Sequence, residues 1–319
     1  MKTTKFRFVM VLFIVGSLVA IIPPSRVGAQ EPPILFPVGD IGTITDLVLE
    51  QRGDKADVYF PDVSAAADAF PMVAVLQGAF VDKQFYSEFG TQLARFGFVV
   101  VIPNHFVVFG PPSTPPAPFP DEFVILDVLA QMIVEDNDPT SPLSRIIDTD
   151  RMGLAGHSAG GATGLFAIEG SCQPPFCFGP PIFPLPDAVR GGAFYGTNTC
   201  GLGGELTDPR CIDFAGVPPN PSGMIFGIDN NNIPVALVQG ALDSISTPEE
   251  ADATIAVFDG SSALIPIDGA NHYGITDVNN PPGAIPDFSP QVIPQEESIA
   301  QIAQASGEFL LEALTEGER

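Results

Sequence analysis

Three histidines, four cysteines and thirteen basic residues are all that this 319-residue sequence holds of those types, and each scarcity excludes something. With 13 Lys and Arg against 38 Asp and Glu the formal net charge is −25, a surface that repels nucleic acid and anionic membranes. The cysteines, Cys172, Cys177, Cys200 and Cys211, contain no C-x-x-C pair and have no histidine near them, so a zinc site is not expected and the metal expectation is none. Beyond the N-terminal stretch no segment has the roughly 20 apolar residues needed to span a bilayer. No internal repeat and no inter-domain linker is visible.

What is present points to one folded domain. Hydrophobic residues make up 45% of the chain, and the 25 phenylalanines are spread throughout it. The 34 prolines and 32 glycines therefore read as turns and long loops rather than disorder. Lys2, Lys5 and Arg7 precede the uncharged run Phe8 to Ile22, and Val27-Gly28-Ala29 follows. These are the three parts of a secretory signal, with cleavage expected after Ala29. The domain expectation is thus a signal peptide at 1–29 and a single catalytic domain at 30–319, exported to the periplasm or the medium. Losing Lys2, Lys5, Arg7 and Arg26 leaves nine basic residues and a formal charge of −29. Export makes disulfides plausible, and the local pairing of Cys172 with Cys177 and Cys200 with Cys211 would staple one loop each.

Along the chain, residues 30–42 form a proline-rich arm, and 43–50 and 55–60 alternate as a hairpin. Met72 to Leu76 and Val99 to Ile102 are continuous apolar runs, as strands buried on both faces of a parallel sheet require. Helical spacing covers 83–96, and Asp121 is placed to cap a helix running to about Glu135. A strand at Met152 to Ala155 and a helix at Ala159 to Ile168 follow. Strands are also expected at Gly191 to Tyr195, Ile233 to Gln239 and Ala263 to Ile267. Helices are expected from about Pro248 to Phe258 and over 295–315. Excursions at 171–188 and 197–232 carry the cysteines. Alternating strands and helices predict an α/β fold with a mostly parallel sheet.

The chemistry is expected at Gly156-His157-Ser158-Ala159-Gly160, a G-x-S-x-G between a strand and a helix. Small flanking residues let the backbone turn tightly there and present Ser158 at the sheet edge. A serine hydroxyl needs an imidazole to take its proton and a carboxylate to orient that imidazole. His157 adjoins the serine and His105 follows an early strand, so both read as structural. His272, after the last strand, is left as the base. Asp243, on the loop after the preceding strand, is the acid, preferred over Asp229 and Asp268, and it completes the chain order Ser, Asp, His. For the oxyanion, Ala159 N–H and Ala79 N–H are expected, with Phe80 second to Ala79. Phe80 and Tyr273 are the substrate-contact candidates.

The stretch Phe70 to His105, above all Leu76-Gln77-Gly78-Ala79-Phe80, Phe85-Tyr86 and Phe98 to Pro103, resembles a branch of the α/β-hydrolase superfamily, as does Gly156 to Gly161. That branch holds chlorophyllases, platelet-activating-factor acetylhydrolases and cutinase-like polyester hydrolases. The likeness is closest to chlorophyllases over 70–105. The resemblance implies an α/β-hydrolase fold and a cofactor-free carboxylic ester hydrolase, monomeric, acting on a small-molecule or polymeric ester through Ser158, Asp243 and His272. It departs at Gln77-Gly78, where the branch carries His-Gly, and in the length of the cysteine-bearing excursions. Their Phe176, Phe178, Phe183 and Pro184 suit an apolar substrate. The rival reading is a catalytically inactive hydrolase fold serving as an acidic binding protein, calcium-dependent through Asp277 to Asn280 or Asp229 to Asn232.

Overall fold

Residues rich in β-branched and aliphatic side chains form strands where both faces find cover, and the chain builds eight of them into one sheet. In the computed structural model the described residues are 40–62, 69–111, 113–177, 179–211 and 223–315, all within one compact unit, Leu35–Arg319. The leader at 1–29, most of the arm at 30–42 and Phe178 lie outside them.

The strands are β1 (Ile41–Leu49), β2 (Asp54–Pro61), β3 (Phe70–Leu76), β4 (Val99–Asn104), β5 (Ile147–His157), β6 (Val189–Tyr195), β7 (Val235–Gly240) and β8 (Ser262–Ile267). Their order across the sheet is β1-β2-β4-β3-β5-β6-β7-β8. β2 runs antiparallel to β1 and β4, and every pairing from β4 through β8 is parallel. The expected hairpin at 43–60 is the β1–β2 pair.

The period-2 geometry of a strand divides the sheet's side chains between two cores. Met72, Ala74 and Leu76 of β3 face α2 (Val124–Asn137), α3 (Ala159–Glu169) and α4 (Pro248–Ile255). Val73 and Val75 face α1 (Ser87–Arg95) and α5 (Gln295–Thr315). All seven residues of β3 are buried, which is why the strand reads as an unbroken apolar run rather than an alternation.

Several boundaries differ from expectation for local reasons. The helical spacing over 83–96 resolves into a 3-10 turn at Lys83–Tyr86, capped by the Asp82 carboxylate on Gln84 N–H, before α1 begins. Asp121 does accept the Phe123 N–H at 2.9 Å, but α2 starts only at Val124. Strand β5 is longer than the four residues of its apolar run, because Ile147 and Asp148 pair with Phe70 and Pro71 across a register shift. The fourth helix ends at Ile255, short of Phe258, which instead pairs with Ile228. Disulfides join Cys172 to Cys177 and Cys200 to Cys211, the local pairing expected from the sequence. Among the described residues no helix is long and apolar enough to cross a membrane.

Candidate functional site

Because β3, β5, β6, β7 and β8 are parallel, their C-terminal ends share one rim. Register aligns Leu76 with Gly156, His157 with Tyr195, and Gly240 with Ile267. Ser158 leaves the rim from β5, Asp243 follows β7 and His272 follows β8. Three positions spread over 115 residues are thus delivered to one edge, where loops of a parallel sheet converge on ligands.

Ser158 sits at φ 54°, ψ −122°, a left-handed region that L-residues adopt at a cost of about 1–3 kcal/mol. The glycines around it make the turn possible. A Cβ at Gly156 would lie 2.7 Å from the Gly160 carbonyl oxygen, and one at Gly160 would lie 2.2 Å from that of Leu76. The second contact also presses the end of β3 against the first turn of α3. Ser158 N–H donates to the Tyr195 carbonyl at 2.9 Å, and the side chain stays half-buried at the rim.

His272 and Asp243 form a buried pair. Nδ1 of His272 lies 2.8 Å from Asp243 Oδ2, and the two residues are 2% and 3% exposed. The other carboxylate oxygen, Oδ1, accepts the N–H groups of Ile245 and Ser246 at 2.9 and 2.8 Å. Held by these three contacts, the carboxylate fixes the ring as the Nδ1–H tautomer, with the lone pair on Nε2. Gly196, at φ 58°, lies beside the pair, where a Cβ would stand 3.0 Å from Asp243 Oδ2. The competing carboxylates Asp229 and Asp268 are exposed and take no part in the pair. Among the described residues no hydrogen bond joins the Ser158 hydroxyl to His272, so the structure joins the imidazole to the carboxylate and leaves the serine unbonded to either.

The loop after β3 is anchored at residues 77, 78 and 80. The Gln77 amide makes two hydrogen bonds to residue 105, donating to its carbonyl and accepting its N–H, each at 3.0 Å. Gly78 N–H donates to the Tyr86 hydroxyl at 2.8 Å, and Phe80 N–H donates to the Pro118 carbonyl at 2.7 Å. Phe80 N–H is therefore taken, which removes the second-choice oxyanion donor and leaves Ala79 between the anchors. Ala159 opens α3, and an N–H at a helix start has no intrahelical acceptor. Ala79 and Ala159 are both half-buried at the rim.

His157 is completely buried and joins two of these parts. The Tyr86 hydroxyl, already accepting from Gly78, donates to His157 Nδ1 at 2.9 Å, and His157 Nε2–H donates to the His272 carbonyl at 2.9 Å. Burial, and then the proximity of His272, holds the His157 pKa well below 6.5 and keeps the ring neutral. Burial likewise raises the Tyr86 phenol. A side chain at residue 78 would collide with this ring, since a Cβ there would lie 2.7 Å from Nδ1. His105 pairs with Asp54 at 2.8 Å, on the side of β4 that faces β2, and so reads as structural.

The two substrate candidates separate. Phe80 is half-buried, with its ring edge-on to Phe109 and Phe119 at 5.8 and 6.2 Å. Tyr273 is a correction: it is 2% exposed, its hydroxyl donates to the Ile285 carbonyl and its ring abuts His272 at 5.1 Å. It walls the pair from inside rather than meeting solvent. Sequence reasoning did not find Tyr86, Gly196 or Asp287, whose carboxylate accepts the His272 N–H. Tyr86 stands in the stretch that carries the resemblance but without a role, Gly196 and Asp287 lie in no motif, and only folding brings them to the rim.

The residues proposed for calcium are otherwise engaged. The Asp277 carboxylate caps α1 through the N–H groups of Ser87 and Glu88 and the Ser87 hydroxyl, and Asp229 accepts the Asn231 N–H. One His, Cys, Asp and Glu cluster of metal-binding dimensions occurs among the described residues, Glu122 with Cys172 and Cys177, and its two sulfurs are already joined to each other.

Fold and site together define a mixed α/β protein with a large, mostly parallel sheet, two disulfides and a serine, a histidine and an aspartate at one rim. A scan against protein-family models finds no match for the chain, and a search of curated proteins finds none.

Proposed function

We propose that the protein is a secreted serine carboxylic ester hydrolase of the α/β-hydrolase fold. The observation that carries the reading is the pairing, at one sheet rim, of a strained left-handed Ser158 with the buried His272–Asp243 pair at 2.8 Å. A serine forced into that conformation between a strand and a helix is the nucleophile-elbow arrangement, and the anchored β3 loop beside it is where such a site takes its second oxyanion donor. In this mechanism Ser158 Oγ attacks the ester carbonyl while His272 Nε2 takes its proton. Asp243 stabilises the imidazolium, and Ala79 and Ala159 N–H groups receive the oxyanion. His272 then protonates the leaving alkoxide. Water, deprotonated by the same ring, releases the acid and restores Ser158. The serine–histidine hydrogen bond forms with substrate bound, as catalytic contacts that are open in free enzymes commonly do.

An ester is favoured by the resemblance of residues 70–105 and 156–161 to the chlorophyllase, acetylhydrolase and polyester-hydrolase branch, and an apolar one by the Phe-rich excursions. The aromatic contact of half-buried Phe80 with exposed Phe109 is in keeping with it. Export is supported by the leader composition and by the two disulfides. Fluorophosphonate labelling tests the reading. The wild type should label at one residue, Ser158→Ala should not label, and its turnover on aryl, chlorophyll, phospholipid or polyester esters should fall on the order of a millionfold. A folded wild type that neither labels nor cleaves any of the four esters refutes it.

A further inference from the structure

We propose that Asp287 is a positioning residue that locks the loop carrying Asp243 to the loop carrying His272; the inference rests on the serine-hydrolase reading above. Asp287 stands 15 residues after His272 in the same β8–α5 connection and far in sequence from the loop of Asp243. It arrives from the proline-rich segment before α5 and is 4% exposed. Its Oδ2 accepts the His272 backbone N–H at 2.9 Å and lies 3.5 Å from the Ser244 N–H. Its Oδ1 accepts the Ser244 hydroxyl at 2.5 Å and the Ser289 N–H at 2.8 Å. One carboxylate thus holds the residue next to the acid and the base's own backbone.

The arrangement is built rather than incidental. A buried carboxylate is costly unless its lone pairs are filled, and among the described residues Asp287 makes no salt bridge. Its charge is supported by neutral donors, and two of those residues, Ser244 and His272, stand on the triad loops. Asn280 clamps the backbone of Asp287 on both sides, accepting its N–H at 2.6 Å and donating to its carbonyl at 3.1 Å. Asn271, immediately before His272, donates to the Ser289 carbonyl at 2.9 Å. Asp243 therefore orients the imidazole ring, while Asp287 fixes the backbone from which that ring hangs. Two carboxylates divide between them what a single one would leave free to swing.

The test compares wild type, Asp287→Ala, Asp287→Asn and Asn280→Ala, with rates expressed per fluorophosphonate-titrated active site so that misfolded protein is not counted. Asp287→Ala should lower kcat about 100-fold, the usual consequence of an ångström-scale misplacement, with KM nearly unchanged. Asp287→Asn keeps one acceptor for His272 N–H and should recover much of that loss. The proton NMR signal of the hydrogen bond between His272 Nδ1 and Asp243, far downfield in wild type, should disappear in the alanine variant and persist in the asparagine variant. If the alanine variant does not fold, Asn280→Ala decides: it releases the Asp287 backbone and should lower kcat, and wild-type kcat in it overturns the proposal. So does a folded Asp287→Ala with wild-type kcat and an unchanged downfield signal. If the wild type itself fails to label, the hydrolase reading falls separately, and the NMR comparison still decides whether Asp287 holds the pair.

Discussion

Replacing Glu122 by glutamine should remove the largest single carboxyl contribution to the protein's loss of stability between weakly acidic and alkaline pH, ahead of that of Glu250. Glu122 lies just before α2, is 0% exposed, and neither of its carboxyl oxygens has a hydrogen-bond partner. Its carboxyl atoms lie within 4.8 Å of the Cys172–Cys177 sulfurs, and its N–H donates to the Phe176 carbonyl at 3.2 Å. Burial first, and then the charge of Asp121, pushes its pKa up from 4.5 to about 8, while the Gln173 N–H, near the carboxyl but outside hydrogen-bond geometry, opposes the rise. The native protein keeps this carboxyl protonated where the unfolded chain ionises it. Stability is therefore fully present below pH 4.5 and is withdrawn as pH rises to about 8. At about 1.4 kcal/mol per pH unit the full window is worth about 5 kcal/mol. Glutamine has the same shape and no charge, so Glu122→Gln should match wild type or lose about 1 kcal/mol at pH 4.5, where the amide is merely unpaired. At pH 9 it should be the more stable protein. For a domain of this size 1 kcal/mol is about 2 °C in Tm, so the gain at pH 9 approaches 10 °C. Thermal unfolding of both proteins followed by circular dichroism from pH 4.5 to 9 measures it. A Tm difference that stays within 2 °C across that range refutes the reasoning.

Three further outcomes follow from the site. Asp243→Asn should leave the fold intact and lower kcat about 10⁴-fold, because an amide facing Nδ1 selects the wrong imidazole tautomer; steady-state kinetics on any cleaved ester checks it. His157 has a native pKa well below 6.5, so below pH 6.5 the unfolded chain binds a proton that the native one refuses, and stability falls as pH drops. His157→Gln should flatten that decline in Tm between pH 6.5 and 5, and a slope equal to wild type would count against the buried neutral ring. Gly196→Ala places a methyl 3.0 Å from Asp243 Oδ2 at φ 58°, costing about 1–2 kcal/mol in unfolding experiments and reducing kcat with it. Full activity would mean that the Asp243–His272 pair tolerates the intrusion.

Patterning within the chain was enough to assign the α/β class, the strands β3, β4, β5 and β7, and the elbow glycines. Each of these is a local consequence: a strand buried on both faces must be apolar at every position, and a turn with carbonyls closer than 3 Å admits only glycine. The same holds for the cysteine pairs, whose short separations favour local closure. Ser158, His272 and Asp243 could be named because only three histidines offered themselves and the chain order restricted the acid. Tyr273 was misplaced because its neighbour His272 drew it to the site, and sequence adjacency does not say which side of a residue faces solvent. Gln77, where a histidine was expected by resemblance, proved to bond residue 105, a pairing set by the adjacency of β3 and β4 in the sheet. Asp287 and Glu122 have no local signature and Tyr86 shows only within the resemblance, since a hydroxyl or carboxylate acquires its role from groups as far as 71 residues away that packing brings within 3 Å or strips of water. Local sterics and patterning act between neighbours in the chain, so sequence determined the elements and the turn that bears the serine. Burial and hydrogen-bond partnership exist only once strands from distant segments share a rim, and there the tertiary structure alone decided which groups are charged, held or left open.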